Sequence, residues 1–551
     1  MPVVTIDGLP ISVEPDTLII QAADRAGIEI PRFCYHPDLR PEGNCRMCLV
    51  RVKGFARLTP ACTTPVADDM VVTTAHADDE VRRASRGVLE FLLINHPLDC
   101  PICDQAGECS LQDFYMHPDY GLHHSDVESR EKVRKRKAID LGSVYLDSER
   151  CVMCSRCVRF SNEVTGAGEL QFVHRGNHVE LVAFQDRALR DPYAGNLADL
   201  CPVGALTSRD FRFKRRVWFL HHAPSVCAGC STGCNVRIDY TERGIERVVP
   251  RRNPFVNRSW MCDEGRFSYQ TVSQLPRVTT PLTREGEDLH PVSWEQALAC
   301  ARGAFSLPRR GEAAVIGSPM ATNEALWGLQ EYARNMKDPV ALEFRSTSAD
   351  PDVEARLDEL LLHADRAPNS RGAMMLGMGA SDGLENIAVR AEQGMIDLAL
   401  ILHYPPVVPA GQPDLDRRVT ALARLVRHAR FSIVLTNADE DWWHAADVIL
   451  PVASWSEEEG TYTNFNSTTQ HVACGQDPPG EVRPAWRALL DLLASVPAAR
   501  RYGSAQEIFD RGVAAMPAFD GLRFDTLVSR HATVYPPEGR TSYGQEGFAG
   551  R

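Results

Sequence analysis

The chain has 551 residues, too many for one hydrophobic core, and its 44% hydrophobic and 24% charged content is that of a soluble globular protein. A net charge of −13 argues against a nucleic-acid partner. No apolar run is long enough to span a bilayer, the nearest, residues 398–402, running into His403 and then Pro405. The first residues carry no basic stretch, no apolar leader and no twin arginine, so a cytosolic protein that touches membranes only through partners is expected.

Seventeen cysteines stand out, and fifteen of them lie between Cys34 and Cys262, with only Cys300 and Cys474 beyond. A reducing compartment disfavours disulfides and favours metal ligation. Two regimes follow: a cofactor-carrying N-terminal half and a cysteine-poor C-terminal half.

Residues 3–13 read as a hairpin turning at Asp7-Gly8, followed by a helix capped by Asp16 or Thr17 and stopped by Gly27. Cys34, Cys45, Cys48 and Cys62 follow at C-x10-C-x2-C-x13-C. Hairpin, helix and Cys-rich loop suggest a ferredoxin-type β-grasp domain holding a [2Fe–2S] centre, with a zinc knuckle as the alternative. Gly43 and Asn44 would let backbone N–H groups approach the sulfurs. The first gap departs from the plant ferredoxin pattern and resembles the N-terminal domains of iron hydrogenases and of complex I.

Residues 80–95 show one apolar helical face, Val81, Ala84, Val88, Leu89, Leu92 and Leu93. This helix delivers His96, and Cys100, Cys103 and Cys109 follow at H-x3-C-x2-C-x5-C. A zinc ion or an iron–sulfur cluster fits this stretch taken alone. A second helical pattern surrounds Leu111 and Phe114. The basic run at 128–137 reads as a solvated linker or docking edge.

Cys151, Cys154 and Cys157 form a C-x2-C-x2-C run, and Cys201-Pro202 follows after 43 intervening residues. A bacterial ferredoxin cluster takes three ligands from such a run and the fourth from a distant Cys-Pro, which here leaves one [4Fe–4S] site. Cys227, Cys230, Cys234 and Cys262 repeat the theme at C-x2-C-x3-C-x27-C, with zinc as the lesser alternative. Fifteen cysteines and His96 thus divide into four sets of four with none left over.

From about residue 310 strands alternate with helices: strands at 313–317, 396–402, 431–435 and 448–450, and a helix beginning at Glu324 capped by Thr322 or Asn323. A parallel α/β arrangement is expected. Neither G-x-G-x-x-G nor a P-loop occurs, and Gly377-Met378-Gly379 reads as loop punctuation. Cys300 falls in a helical pattern as a buried small residue. After about residue 500 the pattern weakens, and the tail from Tyr535 reads as loosely ordered.

With the four sets placed, the chain resembles the large iron–sulfur subunit family of respiratory complex I, the G subunit of bacterial NADH-quinone oxidoreductase. The carrying motifs are His96-Pro-Leu-Asp-Cys-Pro-Ile-Cys-Asp104 with Gly107-Glu-Cys-Ser-Leu-Gln112, Cys154-Ser-Arg-Cys-Val-Arg-Phe160, Cys262-Asp-Glu-Gly-Arg-Phe267 and Pro368-Asn-Ser-Arg-Gly372. In the C-terminal half, Glu458-Glu-Gly-Thr-Tyr-Thr-Asn464 and Pro478-Pro-Gly-Glu-Val-Arg-Pro484 resemble late signatures of the molybdopterin oxidoreductases.

The resemblance implies a multidomain α+β and α/β chain. Its segments are a [2Fe–2S] domain over 1–80, a [4Fe–4S] domain ligated by one histidine and three cysteines over 81–125, and a ferredoxin-like [4Fe–4S] domain over 140–215. A molybdopterin-type [4Fe–4S] domain over 220–276, a shortened molybdopterin-oxidoreductase-like α/β domain over 277–500 and an extension over 501–551 complete it. It implies one [2Fe–2S] and three [4Fe–4S] clusters, no pterin and no substrate site of its own. Electrons would enter at the Cys34 set, pass the Cys151 set and leave from the His96 set, with the Cys227 set off the route. Implied partners are the NADH/FMN subunit, a thioredoxin-like [2Fe–2S] subunit, a ferredoxin-like subunit with two [4Fe–4S] clusters and the forty-nine-kilodalton-type subunit, on the cytoplasmic side of the inner membrane. Family members are usually longer, so the C-terminal fold is expected to be shortened.

Three alternatives compete. An NAD-linked molybdenum or tungsten formate dehydrogenase α subunit shares this N-terminal array, but its active-site cysteine should lie about a hundred residues past the Cys227 set, where neither Cys300 nor Cys474 falls. A hydrogenase diaphorase component fits only as far as about residue 210. A zinc-scaffolded assembly protein is the third.

Overall fold

The computed structural model describes residues 1–122, 132, 134–305, 311–335, 340–344, 357–380, 382–407, 413–494 and 502–533. The chain divides into two compact units, one over Met1–Leu220 and one over His221–Tyr535.

The first unit opens with β1 (Val3–Ile6) and β2 (Leu9–Ser12), paired antiparallel with Val3 opposite Ser12. Their turn holds Asp7 at φ 46° and Gly8 at φ 86°, the paired left-handed geometry that matches strand twist. The sheet continues through β3 (Leu49–Val52), β4 (Thr59–Pro60) and β5 (Met70–Thr73) in the order β2-β1-β5-β3-β4. β1 and β5 run parallel, so this is a mixed β-grasp sheet. Helix α1 (Ile19–Arg25) buries Ile19, Ile20, Ala22 and Ala23 against it. Its cap differs from expectation: Leu18 is the N-cap residue, and its N–H donates to the Gln21 side chain at 2.9 Å. Thr17 instead gives its hydroxyl to the Glu14 carbonyl, so it turns the chain before the helix begins.

Helix α2 (Asp79–Leu93) is capped by Asp78, whose carboxylate accepts from the Glu80 and Val81 amides. Helix α3 (Ser110–Met116) follows Cys109 directly. A three-stranded sheet of Ile139–Asp140, Val144–Leu146 and Leu206–Ser208 then frames the Cys151 run and Cys201.

The basic run at 128–137, expected as a solvated linker or docking edge, is only partly described; Arg134 and Lys137 are exposed, and several of its charges are paired. Lys132 donates to the Leu93 carbonyl at 3.2 Å and to that of His96, covering the end of α2. Arg136 pairs with Glu180 and Asp186, and Lys137 with Glu149. The acidic partners of Arg136, Glu180 and Asp186, lie more than forty residues along the chain.

The second unit begins with an antiparallel sheet of His221–Val226, Asn235–Thr241 and Gly244–Pro250, followed by helix Asp263–Gln274. An eight-stranded sheet follows, with a separate hairpin of Gly460–Thr463 and Thr469–Val472. Its central strands Glu312–Gly317, Ile396–His403, Ser432–Thr436 and Val448–Pro451 are parallel, as expected. Val340–Phe344 and Gly379–Ala380 extend it on one side, and the hairpin Leu282–Glu285/Asp288–Pro291 closes the other antiparallel. Gly379 is thus strand rather than loop. Of the two caps expected for helix Asn323–Asn335, it is the Thr322 hydroxyl that accepts from the Ala325 amide at 3.3 Å.

Beyond residue 500 the chain forms helices Ala505–Arg511 and Phe524–Thr533, with Ile508, Phe509 and Phe524 buried, where only weak pattern was legible. The tail from Tyr535 lies outside the described residues. Among the described residues no helix is long and apolar enough to cross a membrane.

Candidate metal centres

The Cys34 set is built by the β-grasp sheet. Cys48 immediately precedes β3 and Cys62 follows β4, and the Ala61 amide donates to the Cys48 carbonyl at 2.8 Å. Cys34 and Cys45 come from the intervening loop, where the Cys34 amide donates to Cys45 Sγ at 3.5 Å. Cys34, Cys45, Cys48 and Cys62 act on one another's thiols. The Cys45 and Cys62 thiols pull Cys34 far below its ordinary range, against burial, and the Cys45 and Asn44 amides add to the pull. Cys45 and Cys62 are pushed up in turn, first because each donates to Cys34 and then by burial. Gly43, at φ 67°, makes the turn that presents the Asn44 amide.

The His96 set lies between α2 and α3. The His96 amide donates to the Leu92 carbonyl at 3.2 Å, so His96 continues the last turn of α2. Burial, helped by the charges of Lys132 and Arg150, pushes its imidazole down to about 4. The ring is therefore neutral at pH 7, the form that offers a lone pair to a metal. Cys100 is exposed, whereas Cys103 and Cys109 are buried. Burial pushes Cys109 up to about 12, against the Gln112 and Leu111 amides of the first turn of α3. Cys103 is likewise raised by burial, with the Gln105 amide and Arg150 acting against it. A Cβ added to Gly204 would stand 2.2 Å from Cys103 Sγ, so the Cys201–Ala205 turn lies directly on this set.

The Cys151 run is a tight loop, with Met153 at φ 53° and Ser155 at φ 62°. The Met153 amide donates to Cys151 Sγ at 3.4 Å. Burial pushes Cys151 up to about 12, and Cys154 to about 11 with Arg156 drawing it back. Burial also raises Cys157 and Cys201, and each of the run's thiols is acted on electrostatically by Cys201. Backbone amides of Val203, Leu206 and Ala205 point at Cys201 Sγ.

These three sets share one apolar core. Cys34, Cys109 and Cys154 are buried in it with Phe33, Phe114 and Val203, and Cys45, Cys151 and Cys201 pack against it.

The Cys227 set lies in the second unit. Cys227, Cys230, Cys234 and Cys262 line one hollow. The Cys227 amide donates to the Cys234 carbonyl at 2.8 Å, and the Gly229 and Gly265 amides donate to Cys227 Sγ and Cys262 Sγ, each at 3.4 Å. A Cβ on Gly265 would come within 2.8 Å of Cys227 Sγ and 3.4 Å of Cys262 Sγ. Arg366 lines the same hollow and pairs with Glu264.

The donor sets fit iron–sulfur clusters. In all four, backbone amides are aimed at buried sulfurs, the arrangement that offsets the negative charge of a thiolate-bound cluster. Cys300 is exposed on helix Trp294–Phe305 rather than buried as expected, because Trp294, Ala297, Leu298 and Ala301 take the inward face. The residues that sequence reading passed over are Arg156, Arg159, Gly204 and Gly265. Each was visible inside a motif, but nothing in the sequence said what it faces.

Family profiles match this order of parts. They are a 2Fe-2S iron-sulfur cluster binding domain over 3–77, the NADH-ubiquinone oxidoreductase-G iron-sulfur binding region over 86–126 and the ferredoxin-like domain of NADH-quinone oxidoreductase subunit 3 over 142–207. The molybdopterin oxidoreductase Fe4S4 domain over 220–274 and the molybdopterin oxidoreductase domain over 360–495 follow. These profiles show a protein with both [2Fe–2S] and [4Fe–4S] binding domains. The chain is similar to G subunits of NADH-quinone oxidoreductase. It is 41% identical over 343 residues to the G subunit of Streptomyces coelicolor, covering 62% of this chain and 40% of that one. It is also 41% identical over 340 residues to the mitochondrial NADH-ubiquinone oxidoreductase 78 kDa subunit of Candida albicans, covering 60% and 46%. The chain therefore spans less than half the length of these relatives. A solved NAD+-reducing [NiFe]-hydrogenase chain aligns at 29% identity over 39% of this chain and 91% of its own, at a TM-score of 0.35.

Proposed function

We propose that this chain is an electron-transfer subunit of an NADH:quinone oxidoreductase, carrying electrons from an NADH-oxidising flavin subunit toward quinone and holding no substrate itself. The observation that carries this reading is the shared apolar core, in which three donor sets lie side by side. Cys34, Cys45, Cys48 and Cys62 hold one [2Fe–2S] cluster in this reading. His96, Cys100, Cys103 and Cys109 hold a [4Fe–4S] cluster, as do Cys151, Cys154, Cys157 and Cys201, and Cys227, Cys230, Cys234 and Cys262. When bound, such clusters supply one-electron acceptor sites at potentials set by hydrogen bonds and burial. The protein's part is to exclude water from the sulfurs, aim amides at them and keep His96 neutral. The segments 1–80, 81–125, 140–215, 220–276, 277–500 and 501–551 are the modules of this reading.

The partners proposed are the NADH/FMN subunit, the thioredoxin-like [2Fe–2S] subunit, the two-cluster ferredoxin-like subunit and the forty-nine-kilodalton-type subunit, on the cytoplasmic face of the membrane. The relatives' names and the family profiles support a place in an NADH-quinone oxidoreductase assembly.

Metal and acid-labile sulfide analysis of anaerobically isolated protein, with EPR, tests the reading. About 14 Fe per chain is expected, with one [2Fe–2S] and three [4Fe–4S] signals. Stoichiometric molybdenum or tungsten would overturn the carrier reading in favour of a formate dehydrogenase-type enzyme. Stoichiometric zinc without sulfide would overturn the cluster assignments.

A further inference from the structure

Two arginines of the Cys151 run reach across to the loop that carries Cys34. Arg156 and Arg159 are buried, at 6% and 8% exposure. The Arg156 guanidinium donates to the Tyr35 carbonyl at 2.6 Å and to the Leu200 carbonyl at 3.3 Å. Tyr35 adjoins Cys34 and Leu200 adjoins Cys201, so one side chain ties a neighbour of each set. Arg159 donates to the carbonyl of Cys34 itself, to that of Arg40 and to Ser155 Oγ. Further bonds seam the same boundary. Asn44 Nδ2 donates to the Met153 carbonyl at 3.0 Å, and the Arg40 amide donates to Glu163 at 3.1 Å.

Burying a guanidinium on carbonyl oxygens costs desolvation that a hydrophobic residue would not. The rigid donor fork suits holding two backbone segments in fixed register, which a flexible ammonium does less well. Arg159 also has Glu42 within 3.3 Å, which partly cancels its charge.

We propose that Arg156 and Arg159 are positioning residues for electron transfer: they clamp the Cys34 loop to the Cys154–Cys157 loop and place positive charge between the two centres. This rests on the cluster reading above. The clamp fixes the separation of the two centres, on which electron exchange depends. The charge favours the reduced form of each. Arg156 has the larger electrostatic effect, because Glu42 faces Arg159.

The test uses the full chain carrying Arg156→Gln, Arg156→Lys, Arg159→Gln or Arg159→Lys. The readouts are iron and sulfide content, EPR-monitored redox titration and the spin-relaxation enhancement between the two reduced centres. In Arg156→Gln the reduction equilibria of the Cys34 and Cys151 centres should shift about tenfold toward the oxidised form, about 59 mV for a one-electron couple. Arg159→Gln should give a smaller shift. Each Lys variant should restore the potentials but not the relaxation enhancement, since it keeps the charge and loses the fork. Unmoved potentials and relaxation in all four variants at full iron content would overturn the inference. If the Gln variants lose the centres, the Lys variants decide it: altered relaxation supports the clamp, and wild-type relaxation refutes it. Absence of iron and sulfide from the wild-type chain would instead refute the cluster reading itself.

Discussion

Gly204→Ala is the sharpest probe of how the Cys151 and His96 sets are joined. The added Cβ would stand 2.2 Å from Cys103 Sγ, 3.2 Å from Gln105 Cβ and 3.7 Å from Arg150 Cδ. Ordinary contact between such atoms is about 3.5–4.0 Å, so the sulfur or the turn must move by roughly 1.3 Å or more. Gly204 is not among the residues of positive φ, so the substitution adds no backbone strain and its effect is one of packing. Overpacking of this kind costs about 1–3 kcal/mol, and each kcal/mol lowers the melting temperature of a unit of this size by roughly 2–4 °C. A free thiol can rotate away from the new methyl, but a thiolate held by a cluster cannot. The loss should therefore be selective. Iron should fall from about 14 to about 10 per chain, with the His96 centre's EPR signal gone and the Cys34 and Cys227 signals kept. Gly87→Ala, in the middle of α2 with nothing within 4 Å of the new Cβ, is the control and should stabilise by about 0.5–1 kcal/mol. Full iron content and an unshifted His96-centre signal in Gly204→Ala would refute the packing argument.

Gly265→Ala should remove the Cys227 centre by the same logic, its Cβ lying 2.8 Å from Cys227 Sγ, and iron analysis with EPR should show the other three retained. His96→Cys adds a negative charge to its set, so redox titration should show that centre persisting at a lower potential. An unchanged spectrum would remove His96 from the donor set. In the second unit Glu324 and Glu458 are fully buried, and burial raises both carboxyls to about 8. The folded form then holds protons that the unfolded chain, with carboxyls near 4.3, releases. Their contribution to stability is complete below about pH 4, declines as pH rises and is lost above about pH 8. Calorimetry from pH 5.5 to 9 should find the slope of this unit's melting temperature flattened in Glu324→Gln and Glu458→Gln. A slope as steep as wild type would refute it.

The sixteen residues proposed as donors stand out in the sequence because few side chains ligate iron and chain spacing groups them into four sets. The parallel strands at 312–317, 396–403, 432–436 and 448–451 were legible because buried strands form continuous apolar runs. Other features depended on partners distant in the chain. Arg156 and Arg159 find their acceptors far upstream, at Tyr35, Cys34 and Arg40. Gly204 meets Cys103 only because the Cys201–Ala205 turn folds back onto the His96 segment. The ion pairs of Arg136 and Lys137 were not legible, and Cys300 was misread as buried, because an exposed charge and a paired one look alike in sequence, as do the two faces of an Ala-rich helix. Ligand chemistry is written in residue type and spacing. The separation of the centres and the charge between them are set by long-range packing, which only the tertiary structure decides.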